Sequence, residues 1–170
     1  DLNGTLMLNV RCGQIQQDDI MPIPYITAQT ALCTVHPGRP KPLWHSVGSP
    51  TVWAIAGQNF PDTSHLFGDR EILDISEFLR LSGMPVDLSR CASYERAVFD
   101  LLYHYIEQNN RMVPSNRVLP NIQPTDIDDV VDFGRITAWV RDWERSGQLR
   151  RGEAIRDWLK SEDPWEERQR

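Results

Sequence analysis

The residues between Asp62 and Glu71 include side chains that hydrolytic chemistry uses. Asp62, His65, Asp69 and Glu71 set three carboxylates around one imidazole. Carboxylates beside a histidine can hold a divalent metal or move a proton, which is what hydrolases and nucleases need. The competing account is helix-start chemistry, since acidic side chains are favoured at a positive helix N-terminus. A second set is Cys33-x-x-His36, with His45 nine residues further on and Cys12 upstream. Zinc accepts thiolate and imidazole in a tetrahedral shell, but this spacing matches no common zinc module. Cysteine is more often a small buried hydrophobe, so the expectation is a structural role, with zinc or another divalent metal as the minor alternative and no cofactor otherwise. A third set, Asp100, His104 and Glu107, has helical spacing and reads as a solvated polar face.

Other signatures are absent from the sequence. It contains no G-x-x-x-x-G-K, no G-x-G-x-x-G after a strand, no G-x-S-x-G and no H-E-x-x-H. These absences weigh against the common nucleotide-binding and hydrolase chemistries.

The C-terminal third has a different character. From Arg135 to Lys160 there are seven positive charges (Arg135, Arg141, Arg145, Arg150, Arg151, Arg156, Lys160) and four negative ones (Asp142, Glu144, Glu153, Asp157). Trp139, Trp143, Trp158 and Trp165 are interleaved with them. Sixteen of the eighteen basic residues in the chain are arginine. Arginine and tryptophan dominate contact hot spots, because the guanidinium is a planar donor fork and the indole a large apolar face. Interleaved carboxylates would repel a phosphate backbone, which argues for a protein partner over nucleic acid. The sequence leaves open whether the tryptophans face a partner or form the domain's own core.

These residues must be positioned by local elements. Thr5 to Arg11 alternates, with Leu6, Leu8 and Val10 on one face, and Tyr25 to Val35 is rich in β-formers. Thr51 to Ala56 is a third candidate strand, and His36 to Pro42 holds three prolines and must be a loop. Helices are expected after residue 68. Asp74-Ile75-Ser76-Glu77 predicts a capping box, with Asp74 accepting from the N–H of Glu77, and Gly83 followed by Pro85 predicts the stop. Tyr94, Val98, Leu101, Leu102 and Tyr105 form one stripe of a helix from Ser93 to about Asn110, with a polar face opposite. Ile127, Val130 and Val131 lie on nearly the opposite side from Ile136, Trp139, Val140 and Trp143, which predicts a helix starting at Thr125 and breaking at Gly134. Gly147 should end the next helix, and a last one should run from about Gly152 to Ser161.

Strands first and helices after predict a single α+β domain over residues 1–170, with a β-rich part (about 5–57, subdividing as 1–68) and a helical part (about 69–161, subdividing as 69–170). The 170 residues are 40% hydrophobic and 25% charged with net charge −6, a soluble folded chain without a membrane-spanning run. Residues 1–92 and 93–170 each net −3, but the second stretch is much denser in charge of both signs. Three cysteines and no signal-like segment predict an intracellular, reducing compartment. The first residue is Asp, so the expectation is a processed chain or a piece of a longer one. Together these observations predict a non-enzymatic structural or interaction subunit of a multi-chain assembly, a processed viral capsid or particle protein being one concrete version. Its expected contacts are Arg135, Trp139, Arg141, Trp143, Arg145, Arg150, Arg151 and Trp158, made to other protein chains or to copies of itself. The alternatives are a metal-dependent hydrolase or nuclease built on Asp62, His65, Asp69 and Glu71, and a nucleic-acid-binding accessory protein built on the arginines.

Overall fold

The computed structural model describes residues 23–42, 52–108 and 124–160. The expected strand at Thr5 to Arg11, together with Cys12, His45 and Trp165, lies outside the described residues.

A four-stranded mixed sheet organises the first part. Its strands are β1 (Tyr25–Ile26), β2 (Ile55–Ala56), β3 (Ile72–Asp74) and β4 (Arg90–Ala92), in the order β2-β1-β4-β3. β1 runs antiparallel to β2 and parallel to β4, and β4 runs antiparallel to β3, with Leu73 opposite Cys91. Short helices intervene: α1 (Ala28–Leu32), α2 (Ser64–Phe67) and α3 (Ser76–Leu81). The fold class is α+β, but strands and helices are not segregated as the sequence suggested. Half of the sheet comes from residues 72–92, in the part expected to be helical, and two helices precede residue 68.

The segment Tyr25 to Val35 corrects a propensity argument. Only two residues extend as strand, and the chain turns into α1 at its first residue, Ala28, with φ 53. Its threonines serve as hydroxyls rather than as β-formers. Thr27 Oγ1 donates to Asp100, Thr30 Oγ1 accepts from the Ala54 N–H at 2.9 Å, and Thr34 Oγ1 donates to the Thr30 carbonyl at 2.8 Å. A side chain that hydrogen-bonds the nearby backbone can override intrinsic preference.

The helix α4 (Tyr94–Leu102) runs through the centre. Ser93 caps it, its side chain accepting from the N–H of Arg96. Ala97, Val98, Phe99, Leu101 and Leu102 wrap around both sides, and all nine residues are buried, including Glu95, Arg96 and Asp100. The expected solvated face therefore does not exist over this length. A π-helical stretch, Tyr103–Gln108, continues it. Upstream, Asp74 accepts from the N–H of Ser76 at 2.8 Å instead of that of Glu77, whereas the stop holds, with Gly83 at φ 66 and the Met84 N–H returning to the Leu79 carbonyl.

The last unit begins with a 3₁₀ turn, Pro124–Asp126, and leads into α5 (Phe133–Arg145) and α6 (Gly152–Leu159), which pack on each other. The expected helix from Thr125 is only this 3₁₀ turn, with Ile127 and Val130 in the turn that follows and Val131 just after it, whereas the break between the two apolar stripes is found. It falls just before Gly134, because Asp132 caps α5 by accepting from the Arg135 N–H. Gly152 allows α6 to approach α5 closely, since a Cβ there would overlap the Glu144 side chain. One core runs through all these elements, from Tyr25 and Ile26 to Ile155 and Trp158. Among the described residues, no helix is long and apolar enough to cross a membrane.

Candidate functional site

The most polar point of the core is an ion pair inside α4. Arg96 and Asp100 are one helical turn apart, both fully buried, with Nε 3.4 Å from Oδ1. Three hydroxyls converge on the carboxylate: Thr27 and Thr63 donate at 2.5 Å, and Tyr25 at 3.1 Å. The guanidinium donates to Thr63 Oγ1 and to the Tyr25 hydroxyl, each at 3.0 Å, and to the carbonyls of Arg70 at 2.8 Å and Gly68 at 3.3 Å. It also lies 4.3 Å from the centroid of Phe67. Burial pushes the Asp100 carboxyl up, opposed by Arg96 and the three hydroxyls, and burial beside Asp100 raises the Tyr25 phenol. All five side chains are sealed from solvent, so the cluster joins β1, α2 and the α2–β3 loop to α4 and reaches no substrate in this state.

A second cluster lies at the start of the same helix. His36 is 1% exposed and stacks on Tyr94 with ring centroids 3.7 Å apart. Its Nε2 is 3.7 Å from Cys91 Sγ, and Nδ1 has no hydrogen-bond partner. Burial and the nearby Arg39 push the imidazole down to about 4, and burial pushes the Cys91 thiol up to about 12, so both are neutral over the usual range. Three residues on, Arg39 grips Glu95 with both terminal nitrogens, at 2.6 and 2.8 Å, and also donates to the Val130 carbonyl. Glu95 further accepts the Asp132 N–H at 3.0 Å. Burial would raise the Glu95 carboxyl, but Arg39 and the Asp132 N–H outweigh it and hold the group below its ordinary value.

This geometry redistributes the metal candidates. His36 addresses Cys91 on β4, a cysteine outside the expected set, while Cys33 closes α1 through its backbone and packs half-buried against the core. Among the described residues, no three His, Cys, Asp or Glu side chains come together as a metal site.

The residues singled out for hydrolysis are each engaged separately. Asp62 accepts from the backbone and hydroxyl of Ser64, Asp69 pairs with Arg90 at 2.5 Å, and Glu71 pairs with Arg135 at 2.9 Å. His65 is exposed, with Nε2 3.5 Å from the Tyr103 hydroxyl. The Asp100, His104, Glu107 set is dispersed too. Asp100 belongs to Arg96, His104 packs on Phe60 at 4.6 Å, and Glu107 lies 3.6 Å from Arg150. The π-helical turn carries one extra residue per turn, so spacings of four and three cease to define one face.

On α5 and α6 the indoles face inward. Trp139 and Trp158 are 7% and 1% exposed, and Trp143 donates its Nε1–H to the Leu66 carbonyl at 2.9 Å. These tryptophans form the domain's own core, which answers the question the sequence left open. The arginines remain outside: Arg141 is exposed, Arg145 meets Asp142 at 3.5 Å, and the Arg150 side chain is 81% exposed. Arg135 pairs with Glu71, and Arg151 is half-buried before α6.

The residues that form the two clusters, Tyr25, Thr27, Arg39, Thr63, Cys91, Tyr94, Glu95 and Arg96, were not among the sequence candidates. One signal was available. The run Ala97, Val98, Phe99, Leu101, Leu102 leaves no side of α4 free of apolar residues, so its charges had to be buried and paired. The fold and these clusters define an α+β protein whose polar chemistry is spent mainly on joining its own elements. No family model matches the chain, and neither a curated protein nor a solved structure matches it.

Proposed function

We propose that the chain is a non-enzymatic subunit that binds other protein chains through the outward sides of α5 and α6. The observation that carries this reading is the division of labour on these helices. The indoles anchor the helices from within, Arg141 and Arg145 project outward from α5, and Arg150 projects from the turn between α5 and α6, among Asp142, Glu153 and Asp157. Arginines carried on a helix, as Arg141 and Arg145 are on α5, lose less conformational freedom on contact than arginines on a loop. Alternating signs select a partner of complementary pattern, whereas they weaken the attraction of a uniformly negative phosphate backbone.

The test is the mass of the purified chain in dilute solution at low and high salt, with capture of partners on the immobilised protein. The triple variant R141E/R145E/R150E should lose association while keeping the far-ultraviolet spectrum of the wild type. A wild-type monomer at both salt concentrations that captures nothing refutes the reading.

A further inference from the structure

The loop of residues 34–42 is fastened to α4 at three places, and one of them is sensitive to protons. The Tyr94 hydroxyl donates to the Thr34 carbonyl at 3.1 Å, the His36 ring lies flat on the Tyr94 ring, and Arg39 clamps Glu95. Through Arg39 and Glu95 the same loop holds the Val130 carbonyl and the Asp132 N–H, which form the entry to α5. The middle fastening differs in kind from its neighbours. Its imidazole is buried and within 15° of parallel to the Tyr94 ring, and Nδ1 makes no close hydrogen bond in the closed loop.

We propose that residues 34–42 form an acid-released clasp: the neutral His36 ring closes the loop over α4 and the entry to α5, and protonation of that ring opens it. Groups from β4, α4, α1 and the loop itself face His36. From β4 comes the Cys91 thiol, which remains uncharged, and from α4 the Tyr94 ring, also uncharged. The Ala31 carbonyl of α1 and the Glu95 carboxylate of α4 favour the charged ring, while burial and Arg39 of the loop oppose it more strongly.

The closed loop holds the ring near 4, against 6.5 for a solvated imidazole, so the open form binds more protons at every pH between. Closure is therefore undiminished above about pH 6.5, weakens as pH falls, and reaches its lower limit below about pH 4. Between pH 7.5 and pH 5 the open fraction should rise about thirty-fold. Glu95 does not confuse this window. Its carboxyl is held below the ordinary value and stays ionised at pH 5, and Arg39 keeps its charge throughout.

The experiment is amide hydrogen exchange of the wild-type chain at pH 7.5 and 5, corrected for intrinsic exchange, with a nuclear magnetic resonance titration of the His36 ring. The reporters are the N–H of Arg39, bonded to the His36 carbonyl, and that of Asp132, bonded to Glu95. Opening at both should rise about thirty-fold on acidification. In H36F, which retains a flat ring that cannot titrate, the rise should be less than about two-fold. A His36 ring that titrates near 6.5 in the wild type overturns the proposal, and so does an equal acid response in H36F. The ring titration needs only the wild type, so the proposal can still be refuted if H36F folds poorly.

Discussion

Replacing Arg96 by Met would test whether the ion pair in α4 determines how the elements assemble. Methionine approximates the length of the side chain, so packing changes little while every donor is removed. Four hydrogen bonds disappear, to Thr63, Tyr25, Arg70 and Gly68, and Asp100 remains fully buried without its counter-charge. Removing one member of a buried pair costs about 3–5 kcal/mol, most of it the penalty of the charge left behind. Against a typical total stability of about 5–15 kcal/mol, that places R96M near the edge of folding. The complementary D100N variant should cost a similar amount, because Arg96 then lacks its carboxylate. The double variant R96M/D100N should cost little more than either single one, since neither charge is then stranded. A coupling of about 3–4 kcal/mol in that cycle is the expected result. Urea unfolding followed by far-ultraviolet circular dichroism supplies the four free energies. A loss below about 1 kcal/mol for R96M, or additive single variants, would refute the view that these charges depend on each other. If R96M is too unstable to measure, T27V removes one 2.5 Å bond to the carboxylate and should cost about 1.5–3 kcal/mol on its own.

Three further outcomes can be checked by thermal or urea unfolding. G152A should destabilise by about 1–3 kcal/mol, because the new methyl group overlaps the Glu144 side chain where α5 and α6 meet. G147A has open space around the site but a φ of 74, so its cost of about 1–2 kcal/mol should come from the backbone alone and leave near-ultraviolet signals of the tryptophans unchanged. W143F keeps an aromatic ring against Phe67 but loses the bond to the Leu66 carbonyl and part of the indole's contact area, which should cost about 1–3 kcal/mol.

How far the sequence could be read depended on the range of the interaction concerned. The stop at Gly83, the end at Gly147 and the extent of α6 are set by a few neighbouring residues, and all three are found where the pattern places them. The α+β class is right although the segregation of strands and helices from which it was argued is not found. What failed was the division into a strand half and a helix half. Ile72–Asp74 and Arg90–Ala92 are only three residues each, too short to show an alternation, and they become strands because they pair with each other and, through Cys91, with β1. The clusters were less legible still. Tyr25 and Thr27 meet Asp100 from 75 and 73 residues away, a meeting that requires the parallel pairing of β1 with β4. Composition singled out arginine and tryptophan correctly as the unusual residues. It could not say that the indoles of α5 and α6 would be buried while most of the arginines there stay outside, because both core and interface use tryptophan.

The two clusters on α4 differ in one respect that decides which of them can move. Around Arg96 and Asp100, donors and acceptors meet in the same sealed space, and opening it would expose two charges that have partners only there. Around His36 the ring contributes area and a flat stack but leaves Nδ1 without a partner, so less is lost when the ring leaves and a proton can replace what is lost. One helix therefore carries a fixed attachment to the sheet side and a releasable one to the proline-bearing loop. The releasable one is tied, through Arg39 and Glu95, to the entry of α5, the helix that bears the exposed Arg141 and Arg145. Acid opening at His36 should accordingly be felt at Asp132 before it is felt at Thr27 or Thr63. Site-resolved exchange that instead shows all three loosening together would mean that α4 has a single attachment and not two.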